Sequence, residues 1–163
     1  WIRKHLDTIA ARPKAKALTA AGLRTLADDA AEKIPERVRF FAQQMGISHG
    51  RITIRSQRTR WGSCSTKSNI NLNLNIVRLP KVLQDYVLLH ELCHLRHHDH
   101  SHAFHLLLEH LLTDNILKLM EEGDSYSEEI ASKAALSKAR YPLDHVMTRE
   151  IKMCHKNNYL VTR

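Results

Sequence analysis

His90-Glu91-Leu92-Cys93-His94 sits in a stretch whose apolar positions, Val82, Val87, Leu88 and Leu92, fall at helical spacing. On a helix, two side chains four residues apart share one face, about 5–6 Å apart. That separation suits two imidazole nitrogens each about 2.0–2.1 Å from one zinc ion. The carboxylate beside the first histidine can then work on a water held by the ion. His97 and His98 stand a further turn along, about 10 Å above His90 at 1.5 Å per residue, and are poorly placed to join. A third ligand must come from chain that has left the helix and folded back. His100 is best placed, because Asp99 and Ser101 mark a bend beside it. His102, His105 and Glu109 on a downstream helix are the second choices. Eight histidines lie between residues 90 and 110, which makes a chance match easier. The helical context and the bend therefore carry the weight.

Working outward, Pro80 marks the first turn of this helix, which is expected to run to about His97. Ser101 is a good N-cap for a further helix through Phe104, Leu107, Leu108, Leu111 and Leu112, with patterning that continues to Met120. Gly123-Asp124-Ser125 reads as a boundary, and residues 126–163 as a separate tail of mixed helix and coil with Pro142 as a breaker. Upstream, Asn69 to Ile76 alternates polar and apolar residues, the pattern of a half-buried strand. Its Ile70, Leu72, Leu74 and Ile76 face should be buried and its Asn face should point outward. Arg51 to Arg55 reads as another strand, and Trp61 to Ser65 as a strand followed by a turn. From Ala20 to Met45 the apolar residues again fall at helical spacing. Pro35 should kink that helix or start a second one, and Gly46 should stop it. Residues 1–19 form a basic N-terminal arm.

The 163 residues suffice for one domain with a real core, and 43% hydrophobic content is ordinary for a globular protein. No apolar run approaches the roughly 20 residues of a membrane span. The first residues, Trp1 to His5, lack an apolar signal region, so no signal peptide is expected. Cys64, Cys93 and Cys154 are odd in number and far apart, which argues for a reducing compartment, the cytoplasm, and against a disulfide framework. Cys93 reads as a small buried hydrophobe, and Cys64 as a packing residue more than a cleft-lining one. His145, Cys154 and His155 read as incidental.

The net charge of +8 is uneven: residues 1–70 hold 14 Lys and Arg against 5 Asp and Glu, and residues 71–163 hold 11 against 12. Arg51, Arg55, Arg58 and Arg60 lead into Trp61. This cluster reads as a surface for nucleic acid or acidic substrates, or as a solvated strand face. Sparse aromatics favour the solvated face.

Gln57 to Ser65, Asn71-Leu72-Asn73, Asp85 to Leu95, His100-Ser101 and Phe104, in that order and spacing, resemble the YgjP-like metallopeptidase domain, itself distantly similar to SprT-like proteases. The resemblance covers roughly residues 20–120. It implies an α+β fold of compact zincin-like type: N-terminal helices, a small, mostly antiparallel sheet, the HExxH helix and a following helix. A C-terminal helical tail would be added to these. Residues 20–122 would be the catalytic domain and 123–163 an extension of unknown role. The resemblance makes His90, His94 and His100 the ligands of one Zn²⁺ and Glu91 the catalytic acid/base. The chain departs from the family's usual pattern at Asp99, Asn75 and His105.

The implied activity is hydrolysis of peptide bonds in a peptide or protein substrate. Tyr86, one turn before His90, is either a second oxyanion donor or a packing residue, and the edge near Trp61 to Ser65 is suited to pairing with an extended peptide. Two other readings are a protease acting on nucleic-acid-associated proteins and a non-enzymatic zinc-binding domain whose fourth coordination position is closed.

Overall fold

The structure, a computed structural model, describes residues 19–57 and 59–156. Most of the expected basic arm, and Arg58, lie outside the described residues. The first element among the described residues is helix α1 (Ala20–Met45), capped by the Thr19 side chain and closed by Gly46 in the left-handed region. Pro35 lies inside this helix and starts no second one. Ala30, Ile34, Val38, Phe41 and Ala42 form its buried stripe.

Three short strands follow: β1 (Ile52–Arg55), β2 (Gly62–Cys64) and β3 (Ile70–Asn73). Their order is β1-β3-β2, with β1 parallel and β2 antiparallel to β3. The α+β zincin-like class therefore stands, and the pairing within its sheet is evenly mixed. The expected eight-residue strand stops at Asn73 and becomes a 3₁₀ helix over Leu74–Arg78. Ile70, Leu72, Leu74 and Ile76 are buried as expected. The Asn face corrects the expectation, because Asn73 and Asn75 are both fully buried. The Asn73 amide donates to the carbonyls of Gln57 and Arg60, both at 2.8 Å, and its oxygen accepts from the Asn75 backbone and side chain at 3.0 Å. These bonds offset the cost of burying the amide, and they fix the loop that enters β2.

Helix α2 (Lys81–Cys93) carries the histidine motif, and turns over residues 94–96 continue it towards the expected break. Ser101 caps α3 (His102–Glu121), its hydroxyl accepting from Phe104 N–H. Then come α4 (Ser125–Leu136), capped by Asp124, and α5 (Pro142–Lys156). Pro142 opens a helix here, since the first turn needs no N–H from it. One hydrophobic core runs from Ala30 and Phe41 through Leu83, Leu92, Phe104 and Leu112 to Ile130, Met147 and Cys154. Arg37 of α1 forks onto Asp85 of α2 through two 3.0 Å bonds, and Asn115 of α3 donates to the same carboxylate at 3.0 Å. Among the described residues no helix is long and apolar enough to cross a membrane.

Candidate metal centre and cleft

His90 lies on α2, His94 is its C-cap residue, and His100 is on the returning segment just before Ser101. The fold brings one ligand atom from each within 4.8 Å of the others. Ring centroids are 5.0 Å apart for His90 and His94, 5.3 Å for His90 and His100, and 4.7 Å for His94 and His100. Fully buried Phe104 backs all three, with its ring 5.2, 4.5 and 4.9 Å from theirs. Helical spacing marks Phe104 as a core residue but not as the floor of this triad.

Hydrogen bonds set the tautomers. His94 Nδ1 lies 3.2 Å from the His97 carbonyl, which can only accept, so Nδ1 carries the proton and Nε2 keeps its lone pair. His90 Nδ1 lies 3.3 Å from Glu91 Oε2, and an ionised carboxylate imposes the same choice. His100 is held below the ordinary histidine value, first by desolvation and then by His90, His94 and His105. Three imidazoles with converging nitrogens are a donor set that fits a divalent first-row ion.

The other candidate ligands are engaged elsewhere. His102 hydrogen-bonds to the Tyr141 hydroxyl. His105, a position where the chain departs from the family pattern, pairs with Asp144 Oδ2 at 3.0 Å and stacks on Tyr141. Glu109 accepts from the backbone N–H groups of Leu143 and Asp144 at 2.8 and 3.1 Å, capping α5.

Glu91 is only 6% exposed, under the β2 strand. Gly62 permits that approach: a Cβ there would stand 3.1 Å from Glu91 Cγ, 3.1 Å from Leu72 Cδ2 and 3.2 Å from the Asn71 carbonyl. The WGS segment is visible in the sequence, but the reason for its glycine is not. A cleft of about 450 Å³ opens over the triad, lined by Arg60 to Cys64, Tyr86, Val87, His90, Glu91, His94, His98, His100 and Ile151. Cys64 thus lines the cleft, contrary to the packing expectation, and its thiol is pushed up by burial and by Glu91. Cys93 is fully buried as expected, with its thiol pushed up to about 12, chiefly by burial.

Antiparallel pairing directs the backbone groups of Trp61 and Ser65 to β3, as the bonds from Asn73 N–H to the Trp61 carbonyl and from Ser65 N–H to the Asn69 carbonyl show. By alternation, the N–H and C=O of Gly62 and Cys64 lie on the other edge of β2, which pairs with no strand among the described residues. Tyr86 lines the cleft, but its hydroxyl donates to Asp144 Oδ1 at 2.6 Å and lies 2.9 Å from Thr148 Oγ1. Burial first, and then Asp144, push this phenol up, so it remains a protonated donor.

No curated protein and no solved structure matches the chain. The family model described as the YgjP-like metallopeptidase domain matches residues 2–117, which takes in the strands, α2, the returning His100 and most of α3. With that match spanning well over half its length, the chain belongs to the YgjP-like metallopeptidase domain family.

Proposed function

We propose that the chain is a single-zinc peptidase, with His90, His94 and His100 as the protein ligands and Glu91 as general acid/base. The observation that carries this reading is the convergence of three donor atoms within 4.8 Å, beside a buried carboxylate and on an accessible cleft. Zinc, when bound, supplies Lewis acidity that polarises a carbonyl and brings the pKa of water to about 7. The chain's own residues do the rest. The His97 carbonyl and Glu91 take the Nδ1 hydrogens of His94 and His90, which would leave Nε2 of each free to hold the ion. Phe104 closes the back of the triad to water. Glu91 takes a proton from the attacking water and returns it to the leaving amine nitrogen. The open edge of β2, with the backbone groups of Gly62 and Cys64, binds an extended peptide as an added strand. Tyr86, its hydroxyl held by Asp144, acts as a wall of the cleft.

Metal analysis paired with a peptide-library digest tests the reading on the wild type and on Glu91→Gln. One zinc per chain is expected in both, with cleavage only in the wild type. Full cleavage by a zinc-loaded Glu91→Gln protein removes the acid/base role, and a folded wild type that takes up no zinc removes the whole reading.

A second reading, cleavage of proteins held on nucleic acid, draws on exposed Arg60 at the cleft and on the basic balance of residues 1–70. Its mark is DNA-stimulated cleavage that weakens steeply with salt. A purely structural zinc is less well supported, because the cleft opens directly onto the triad. Three free cysteines, two of them buried, suit a reducing compartment, and the cytoplasm is the proposed location.

A further inference from the structure

Asp144, Thr148 and Ile151 are spaced i, i+4, i+7 and form one stripe along α5. Asp144 Oδ1 accepts from the Tyr86 hydroxyl at 2.6 Å, and Thr148 Oγ1 lies 2.9 Å from the same hydroxyl. These bonds pin the stripe to α2 one turn before His90. Glu109 of α3 fixes the start of the same helix by capping Leu143 and Asp144. About one turn beyond Thr148, Ile151 lines the cleft that holds His90, Glu91 and His94. Its side chain is half-buried, packing partly on the core and leaving the remainder to the cleft. Buried Tyr86 and Val87 of α2 line the same cleft. This corner is therefore apolar, whereas the β2 side offers backbone groups and Arg60. In a peptide added to the β2 edge, alternate side chains point to opposite faces. Those on the face where α2 packs under Gly62 would point into the cleft that Tyr86, Val87 and Ile151 line.

We propose that α5 builds an apolar side-chain subsite onto the cleft, with Ile151 as a specificity-determining residue. The substrates are then peptides presenting a medium-sized apolar side chain, such as leucine, valine or methionine, beside the scissile bond. This deepens the peptidase reading and rests on it. Tyr86 and Val87 lie within the matched segment 2–117, whereas Ile151 and the rest of α5 lie beyond it.

The test uses the full, zinc-loaded chain as wild type, Ile151→Val, Ile151→Ala and Ile151→Asp, with kcat/KM measured over a peptide library varied on both sides of the cleaved bond. The wild type is expected to favour apolar over charged side chains at one subsite by tenfold or more, since a single methylene in a hydrophobic pocket is already worth about 10–200-fold. Ile151→Ala should move the preference to larger apolar side chains, and Ile151→Asp should erase it, with zinc content unchanged. A core residue alone would lower thermal stability and leave the preference as it was; an unchanged profile in Ile151→Val and Ile151→Ala therefore overturns the subsite. A second arm measures binding of leucine-containing and aspartate-containing fluorescent peptides to zinc-loaded Glu91→Gln, with and without Ile151→Asp. Tenfold weaker binding of the leucine peptide in the double variant supports the subsite even if the wild type cleaves nothing, in which case the peptidase reading alone falls. Equal binding of the two peptides, or binding of neither, overturns the subsite.

Discussion

Tyr86 of the histidine-bearing helix and Asp144 of the last helix share a 2.6 Å hydrogen bond across 58 residues of chain. The other carboxylate oxygen of Asp144 takes His105 at 3.0 Å. Tyr86 flanks His90, with ring centroids 5.9 Å apart, and His105 flanks His100 at 6.1 Å. One carboxylate of α5 thus braces both flanks of the triad.

Removing the phenol hydroxyl isolates that brace. Tyr86→Phe should cost about 1.5–3 kcal/mol, the range for a hydrogen bond to a charged group, and leave zinc content intact. Urea unfolding reads the loss. The pH dependence has a definite sign. The folded phenol is pushed above its ordinary value, so its contribution is fully present below the unfolded pKa of about 10 and declines as pH rises beyond it. The stability difference between wild type and variant should be flat up to about pH 9 and shrink above pH 10. A difference that grows with pH would contradict the assigned donor.

Gly62 of β2 lies directly against the Glu91 side chain of α2. A Cβ there meets Glu91 Cγ, Leu72 Cδ2 and the Asn71 carbonyl at 3.1–3.2 Å, tighter than ordinary contact. Gly62→Ala should fold with a cost of about 1–3 kcal/mol from overpacking. Gly62→Val, which pushes harder on Glu91, should lower kcat/KM by about 100-fold, the scale expected of an ångström-sized misplacement. Zinc content should hold in both, since neither touches a ligand. Wild-type kcat/KM in a folded Gly62→Val protein would separate β2 from the catalytic geometry.

The triad is legible in the sequence because a four-residue spacing has the same meaning on any helix, and because Ser101 marks where the chain turns back. The second-choice ligands His102, His105 and Glu109 need coordinates to set aside. Their partners, Tyr141, Asp144 and the α5 backbone, lie more than thirty residues away and leave no periodic trace. Asn73 and Asn75 are misread for a related reason: alternation tells which way a side chain points, not whether carbonyls wait there to receive it. Apolar spacing places Phe104 in the core without saying that three imidazoles rest on it.

Asp85 joins three helices beneath the site. It is 1% exposed and takes the two-pronged Arg37 guanidinium and the Asn115 amide. Asp85→Ala leaves both donors facing an emptied pocket. The expected cost is about 3 kcal/mol, the low end for breaking a buried pair, because the Arg37 side chain keeps 29% exposure and can reach water. For a chain of this size that lowers Tm by roughly 6–12 °C. Asp85→Asn keeps an acceptor for Asn115 and should lose less. A Tm within a degree of wild type for Asp85→Ala would mean that the network contributes nothing net.

Metal linkage tests whether His90, His94 and His100, rather than their histidine neighbours, hold an ion, without relying on catalysis. An ion that binds only the folded state stabilises it by about 2.7 kcal/mol at a hundredfold excess over Kd. Added zinc should therefore raise the Tm of the metal-stripped wild type, and a chelator should reverse the rise. The shift should vanish in His94→Ala, whose imidazole supplies one of three converging donors. It should survive in His102→Ala, whose ring is turned to Tyr141. Protons compete for the same lone pairs, so the shift should also shrink as pH falls. If His94→Ala kept the full shift while His102→Ala lost it, the ion would sit on the α3 histidines, and neither the tautomers set by His97 and Glu91 nor the Phe104 floor would bear on it.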